Sequence, residues 1–159
     1  MKLNSEDRKF LTLAIETATN NIKDGGGPFG AVVVSYGHII SRAGNRVVAA
    51  HDPTAHAEVE AIRMASTVMG THDLSSCVIY SSCEPCPMCL GAIYWAGIKR
   101  VVYASDRYQA ASSGFSDEMI YMELALEKEK RSLTMDRGMK EEGDIVFRQW
   151  DNFPGKILY

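Results

Sequence analysis

The sequence predicts an α/β fold, and two observations carry that prediction. Up to about residue 105, segments with strand periodicity alternate with segments of helical periodicity, and Gly, Pro and Asp clusters punctuate them. The two internal helices in this alternation each follow a Pro-containing stretch dense in His, Cys and Glu, at Asp52-Pro53-Thr54-Ala55-His56-Ala57-Glu58 and Cys83-Glu84-Pro85-Cys86-Pro87-Met88-Cys89. Strand and helix in this order build a mixed sheet with helices on its faces. The expected architecture is a single domain over residues 1–159: an α/β/α sandwich around a mixed, mostly five-stranded sheet.

Each element has a local reason. Asn4 is a helix N-cap candidate, and Phe10, Leu13, Ala14, Thr17, Ala18 and Ile22 then recur with helical spacing. That helix stops at Gly25-Gly26-Gly27-Pro28. Ala31 to Ser35 and His38 to Arg42 read as strands joined in a tight hairpin at Tyr36-Gly37. A loop from Gly44 to Ala55 leads to a helix opened by His56, whose apolar rhythm of Ala57, Ala61, Met64, Ala65 and Val68 ends near Gly70. Cys77 to Ser82 is expected as a strand, Cys86 to Ala96 as a helix and Arg100 to Ser105 as another strand. Asp117 to Lys128 and Asp144 to Asn152 carry helical patterns, and a short fifth strand is expected near Ser132 to Asp136 inside the charged interval 128–143.

The two cysteine- and histidine-bearing stretches spell H-x-E and P-C-x-x-C, the signature of zinc deaminases. His56, Cys86 and Cys89 offer one imidazole and two thiolates, a soft N/S set that suits zinc. Three protein ligands leave a fourth tetrahedral position for water, which marks a catalytic rather than a structural site. Glu58 is then the proton acceptor beside that water. Deep in a helix, residues at i and i+2 point to nearly opposite sides, so His56 and Glu58 share one metal only at a helix mouth. Cys86 and Cys89 at i and i+3 share one helix face, and Pro85 and Pro87 are tolerated only in its first turn. Helix N-termini also acidify thiols, which favours the thiolates that zinc needs.

Composition excludes several classes. The chain has 159 residues, 46% apolar and 23% charged, an ordinary globular composition that argues against disorder. A net charge of −3 with no basic stripe gives no nucleic-acid footprint. The first residues, Met1-Lys2-Leu3-Asn4-Ser5-Glu6-Asp7, lack the apolar core of a signal peptide, and no apolar run approaches the ~18 residues of a membrane span. Four cysteines between Cys77 and Cys89 point to metal ligation in a reducing compartment, hence the cytoplasm.

Simpler readings compete at each motif. An all-cysteine zinc site would require Cys77, in an apolar strand, to turn toward Cys83, Cys86 and Cys89. Cys83-x-x-Cys86-x-x-Cys89 also matches the opening of an iron–sulfur motif, but no fourth cysteine follows. Gly25-Gly26-Gly27-Pro28-Phe29-Gly30 lacks the Lys-Ser/Thr of a phosphate loop and precedes a strand, so it is either a plain turn or a place where backbone approaches a ligand with Phe29 as a flat face. Asn45 is an ordinary turn residue unless it faces the metal.

The chain resembles the cytidine-deaminase-like superfamily and, over nearly its whole length, the small bacterial guanine deaminases. The likeness is carried by Gly26-Gly27-Pro28-Phe29-Gly30-Ala31-Val32, by Asp52 to Val59, by Ser82 to Trp95, by Gly114-Phe115 with Asp117, and by the terminal Tyr159. The metal motif belongs to the whole superfamily; Gly114-Phe115-x-Asp117 and the final tyrosine are narrower and favour guanine. The resemblance implies zinc on His56, Cys86 and Cys89, Glu58 as proton shuttle, contacts to a purine from Asn45, Ala57, Asp117 and Tyr159, and pocket walls from Phe29 and Trp95. It further implies a homodimer in which the C-terminal segment, 115–159, is exchanged so that its tail covers the partner's site. The implied reaction converts guanine to xanthine and ammonia, with a small purine as the only partner besides the second chain. The rivals are deamination of guanosine, of a pyrimidine base or of tRNA adenosine, and a non-enzymatic zinc-stabilised binding module, against which the intact Glu58 argues. The chain departs from the family most between Glu123 and Gly143, and Ser116 stands where an acidic residue is common.

Overall fold

The computed structural model describes residues 2–158. The described residues up to Asp117 form one compact unit, and those from Glu118 onward form a second.

The first unit opens with helix α1 (Ser5–Lys23), started by a reciprocal capping box: Asn4 Oδ1 accepts from the Asp7 amide at 2.7 Å while the Asp7 carboxylate accepts from the Asn4 amide. Strands β1 (Gly30–Ser35) and β2 (His38–Gly44) follow as an antiparallel hairpin. Its turn residues Tyr36 and Gly37 both take positive φ, the conformation that matches the twist of paired strands. A single turn, α2 (Val47–Ala50), precedes α3 (Ala57–Met69), which ends on the left-handed Gly70. Then come β3 (Cys77–Cys83), α4 (Pro87–Trp95), β4 (Arg100–Ser105) and the short α5 (Arg107–Ser112).

The sheet order is β2-β1-β3-β4, with β1 antiparallel to both neighbours and β3 parallel to β4 across the α4 connection. Alternation along the central strands divides the core in two. Ala31, Val33, Cys77 and Ile79 face α3 and α4, where they pack on Ala57, Ala61, Ala65, Ile93 and Ala96. Val32, Val34, Tyr80 and Val102 face the other way, against Phe10, Leu11 and Ala14 of α1. The three-layer α/β/α arrangement is therefore present. The three alanines of α3, spaced at i and i+4, allow that helix close to the sheet, and Ser41 Oγ of β2 donates to the Ala61 carbonyl at 2.6 Å.

Three expectations change. The α1 stripe is rotated: Leu11 is buried and Ile22 is exposed. Residues 132–136 form no strand, so the described sheet has four strands rather than five. Leu133 and Met135 are exposed there, and the segment's bonds are those of a turn, with Ser132 N donating to Glu123 Oε2 and the Arg131 guanidinium to the Leu126 carbonyl; an extended segment without a ladder partner has nothing to satisfy its backbone. The final helix, α7 (Lys140–Asp151), begins four residues before Asp144, supported by Glu141 and Glu142 in its first turn and a Lys140–Asp144 ion pair of 2.5 Å.

The second unit contains α6 (Glu118–Ala125), a 3₁₀ turn at Lys128–Lys130 and α7. None of its described residues is buried, although Met119, Met122, Leu124, Phe147, Ile157 and Leu158 are large and apolar. No helix among the described residues is long and apolar enough to cross a membrane.

One polar cluster ties the α1 layer to the sheet. Arg100 Nη1 and Nη2 donate to the two Asp7 carboxylate oxygens at 2.7 Å each, and the buried Tyr80 hydroxyl donates to Oδ1 at 3.0 Å. The fork from Arg100 holds the Asp7 carboxyl down at about 2 against the effect of burial, with help from Tyr80 and the Asn4 amide. Because this folded-state value lies below the ordinary 3.8, the stabilisation is present above pH ~4 and is lost as pH falls toward 2. Asp7→Asn is expected to lower stability near neutrality by about 1–3 kcal/mol and to flatten the fall in urea midpoint between pH ~5 and ~2. An unchanged acid limb in the variant would show that this carboxylate is not the group responsible.

Candidate active site

The site forms where α3 and α4 begin. His56 and Cys86 are the N-cap residues of the two helices, both with extended backbone (φ −69°, ψ 154° and φ −64°, ψ 169°), and neither uses its side chain to cap its own helix. Pro87 occupies the first turn of α4, where its missing N–H costs nothing, and carries the chain to the fully buried Cys89. Asp52 organises the approach to α3, its Oδ1 accepting from both the amide and the hydroxyl of Thr54 at 2.7 and 2.6 Å. Glu58, the second residue of α3, is still in the first turn, where a residue two places from His56 can face the same point.

The donor atoms converge. His56 Nδ1 lies 3.6 Å from Cys86 Sγ and 3.5 Å from Cys89 Sγ, and all three ligand atoms fall within 4.8 Å of one another. Zinc bonds of about 2.0–2.1 Å to nitrogen and 2.3 Å to sulfur, at tetrahedral angles, require N···S edges of ~3.6 Å. The donor set therefore fits zinc in size as well as in chemistry. The electrostatics agree: the Cys86 thiol is pushed down to about 4 by the adjoining Cys89 and by His56, while Cys89 is pushed up by the neighbouring Cys86 sulfur and by burial. Two sulfurs this close share a site as thiolates only with a cation between them.

Glu58 is almost wholly buried, and burial raises its carboxyl above the usual carboxylate range. Its two oxygens have different partners. Oε1 accepts from the buried Ser81 hydroxyl of β3 at 2.9 Å, whereas Oε2 lies 3.5 Å from Cys89 Sγ, on the side of the metal ligands. Ser81 has no place in the motif-based reading. A signal was available: by alternation it shares the α3-facing side of β3 with Cys77 and Ile79, so it is a polar group aimed into an apolar layer.

The remaining cysteines stand apart from the ligands. Cys77 Sγ packs on Met69 Sδ at 3.7 Å, which leaves the all-cysteine site without its fourth member. Cys83 Sγ lies 3.5 Å from the Asp106 carbonyl, and burial pushes its thiol up to about 11, so it stays protonated.

The other sequence candidates, Phe29, Asn45, Ala57 and Asp117, have these surroundings. Phe29 meets Phe115 edge-on at 5.0 Å, and its carbonyl accepts from the Asn45 amide at 3.1 Å. Asn45 is buried, with Oδ1 accepting from the Val47 amide, and the next residue, Arg46, bonds through its amide to the Ala55 carbonyl just before His56. Ala57 is fully buried in the first turn of α3. Asp117 is half-buried, and its carboxyl is raised by burial and then by the charge of Cys86. Trp95 ends α4, largely exposed, about nine residues and hence ~13 Å of helix from Cys86. Tyr159 lies outside the described residues.

Residues 4–105 match the family described as the cytidine and deoxycytidylate deaminase zinc-binding region. The chain is 47% identical over 151 residues to a guanine deaminase of Bacillus subtilis, covering 94% of this chain and 97% of that protein. The crystal structure of guanine deaminase from B. subtilis superposes with a TM-score of 0.93 at 46% identity, covering 99% of each chain. A tRNA-specific adenosine deaminase of Agrobacterium fabrum is 40% identical over 102 residues, covering 64% of this chain and 67% of that protein. With the zinc donors assembled, a buried glutamate beside them and a family match spanning the whole sheet, the chain belongs to the cytidine and deoxycytidylate deaminase zinc-binding family.

Proposed function

We propose that this protein is a zinc-dependent guanine deaminase, converting guanine and water to xanthine and ammonia. The observation that carries the reading is the extent of likeness. Similarity to the guanine deaminase runs through 94% of the chain, while similarity to the tRNA-specific deaminase covers 64%. The metal core alone does not choose a substrate; likeness that continues into the C-terminal segment favours guanine. The net charge of −3 adds no support for an RNA substrate.

His56, Cys86 and Cys89 would hold the metal, and bound zinc supplies Lewis acidity that makes water a competent nucleophile near neutrality. Glu58 Oε2 takes one proton from the water that attacks C2 and passes it to a ring nitrogen. It then carries the remaining proton of the new C2 hydroxyl to the amine, which leaves as ammonia as its bond to C2 breaks. Ser81 keeps Oε1 occupied, so the carboxylate cannot rotate away from the reacting centre. The first-turn amides of α3 and α4 present positive dipole ends to the charge that develops at the base. Asn45 and Asp117 provide hydrogen bonds to the purine edges, Ala57 contacts the base, and Phe29, backed by Phe115, stacks on it. A carboxylate buried among these groups has no purpose in a purely structural zinc module.

We further propose that the chain acts as a single domain and a homodimer in which segment 115–159 is exchanged. The support is the unburied apolar surface of Met119, Met122, Phe147, Ile157 and Leu158, which a second chain would cover. Tyr159 would then reach a purine across the dimer, and Trp95 would wall the pocket. The four cysteines are all free thiols, in keeping with a reducing cytoplasm.

A panel of bases and nucleosides scored by ammonia release tests the substrate: guanine should be turned over, with little release from adenine, cytosine, cytidine or guanosine. Preference for a pyrimidine or a nucleoside would overturn the assignment. Glu58→Gln should lower kcat by at least ~100-fold and Ser81→Ala by roughly tenfold, both with about one zinc per chain and little change in KM. Ser81→Thr should restore most of the loss, because it keeps the hydroxyl. Equal activity of Ser81→Ala and wild type would remove Ser81 from the proton relay. Chains lacking Tyr159, refolded together with Glu58→Ala chains, should regain about a quarter of the sites if tails cross the dimer; recovery of none would place each tail over its own chain.

A further inference from the structure

We infer that Asn21, in the last turn of α1, is a positioning residue for the purine, acting through Asn45 and Phe29; the inference rests on those two residues contacting the base as proposed above. Both hydrogens of its side-chain amide are used. Nδ2 donates to the Gly27 carbonyl and to the Asn45 carbonyl, each at 2.8 Å. The circuit then closes: the Gly27 carbonyl also accepts from the Phe29 amide at 2.8 Å, and the Phe29 carbonyl accepts from the Asn45 amide at 3.1 Å. One side chain from α1 thus fixes the backbone of both segments that carry the purine contacts.

The surrounding glycines are explained by the same side chain. A Cβ on Gly26 would lie 2.8 Å from Asn21 Cγ, and one on Gly44 would lie 2.5 Å from Cγ and 2.9 Å from Cβ of Asn21. Neither glycine has a positive φ, so what each position needs is room for the amide rather than unusual backbone freedom. On its outer side the Asn45 segment borders an open cavity of about 400 Å³, lined by Asn21, Gly44, Asn45, Arg46, Glu60 and Met64. Packing from that side is thin, and the amide clamp takes its place. The metal ligands, Glu58 and Ser81 lie on α3, α4 and β3, outside the circuit. Loosening the clamp should therefore weaken binding of the base and leave the proton relay in place.

The test uses the zinc-loaded full chain with guanine as substrate, comparing Asn21→Ala, Gly44→Ala, Asn45→Ala and the Asn21→Ala/Asn45→Ala double variant. Asn21→Ala should raise KM about fivefold or more, with kcat within about twofold of wild type and zinc still about one per chain. Gly44→Ala, which displaces the amide without removing it, should move KM in the same direction and decides the question if Asn21→Ala fails to fold. In the Asn45→Ala background, Asn21→Ala should add less than about twofold, because the two residues act in series. A raised KM in Asn45→Ala alone, with Asn21→Ala and Gly44→Ala near wild type, would overturn the positioning role and leave the proposed pocket intact. An unchanged KM in Asn45→Ala would overturn both. Loss of kcat and zinc together at constant KM in Asn21→Ala would mark a residue that only stabilises the fold, and would also overturn the inference.

Discussion

The site depends on one geometric constraint: α3 and α4 must begin at the same point. Each helix donates its N-cap side chain to a shared cluster instead of capping itself, so neither start is stabilised locally in the usual way. Convergence is imposed from below by the sheet. The α3-facing layer is built largely of alanine, with Ala57, Ala61 and Ala65 against Ala31 and Val33, and α4 adds Ile93 and Ala96. Larger side chains there would lift α3 away from the sheet and carry His56 off the sulfurs. Stability and chemistry therefore rest on the same small residues.

The opposite layer has a different task. Phe10, Val32, Tyr80 and Val102 make an ordinary apolar contact, and the Asp7–Arg100–Tyr80 cluster adds a directional one. Helix α1 is thereby held in one register along the sheet. That register matters at the far end of the helix, where Asn21 reaches the segments at Gly27 and Asn45. A helix anchored at its first turn presents its last turn at a fixed place.

What was legible in the sequence followed from period and spacing. His56 with Glu58, and Cys86 with Cys89, force two helix mouths, and the hairpin at Tyr36-Gly37 follows from strand alternation with a turn between. The four described strands were readable from their apolar runs and turns: β1 and β3 are buried along nearly their whole length, whereas β2 and β4 bury only a few residues each. The segment at Ser132 to Asp136 shows the limit: short apolar and polar alternation suggests a strand, but only a neighbouring edge makes one. The start of α7 was missed because Lys140 to Gly143 is polar, and its helical state comes from first-turn charges and an i,i+4 pair rather than from an apolar face. Ser81 and Asn21 are polar residues on otherwise buried faces, a kind of signal that becomes meaningful only once the face has been assigned.

The hydrogen bond between Ser81 and Glu58 has a consequence for motion. Ser81 lies in β3, paired on both sides and sealed in the sheet, whereas Phe29 and Asn45 sit at the ends of β1 and β2, where the chain turns. The acid–base group is therefore registered to the sheet, while the segments proposed to receive a base are held separately, by the Asn21 amide of α1. Alignment of the proton-carrying oxygen and placement of the base are mechanically separate, so a disturbance of one does not displace the other.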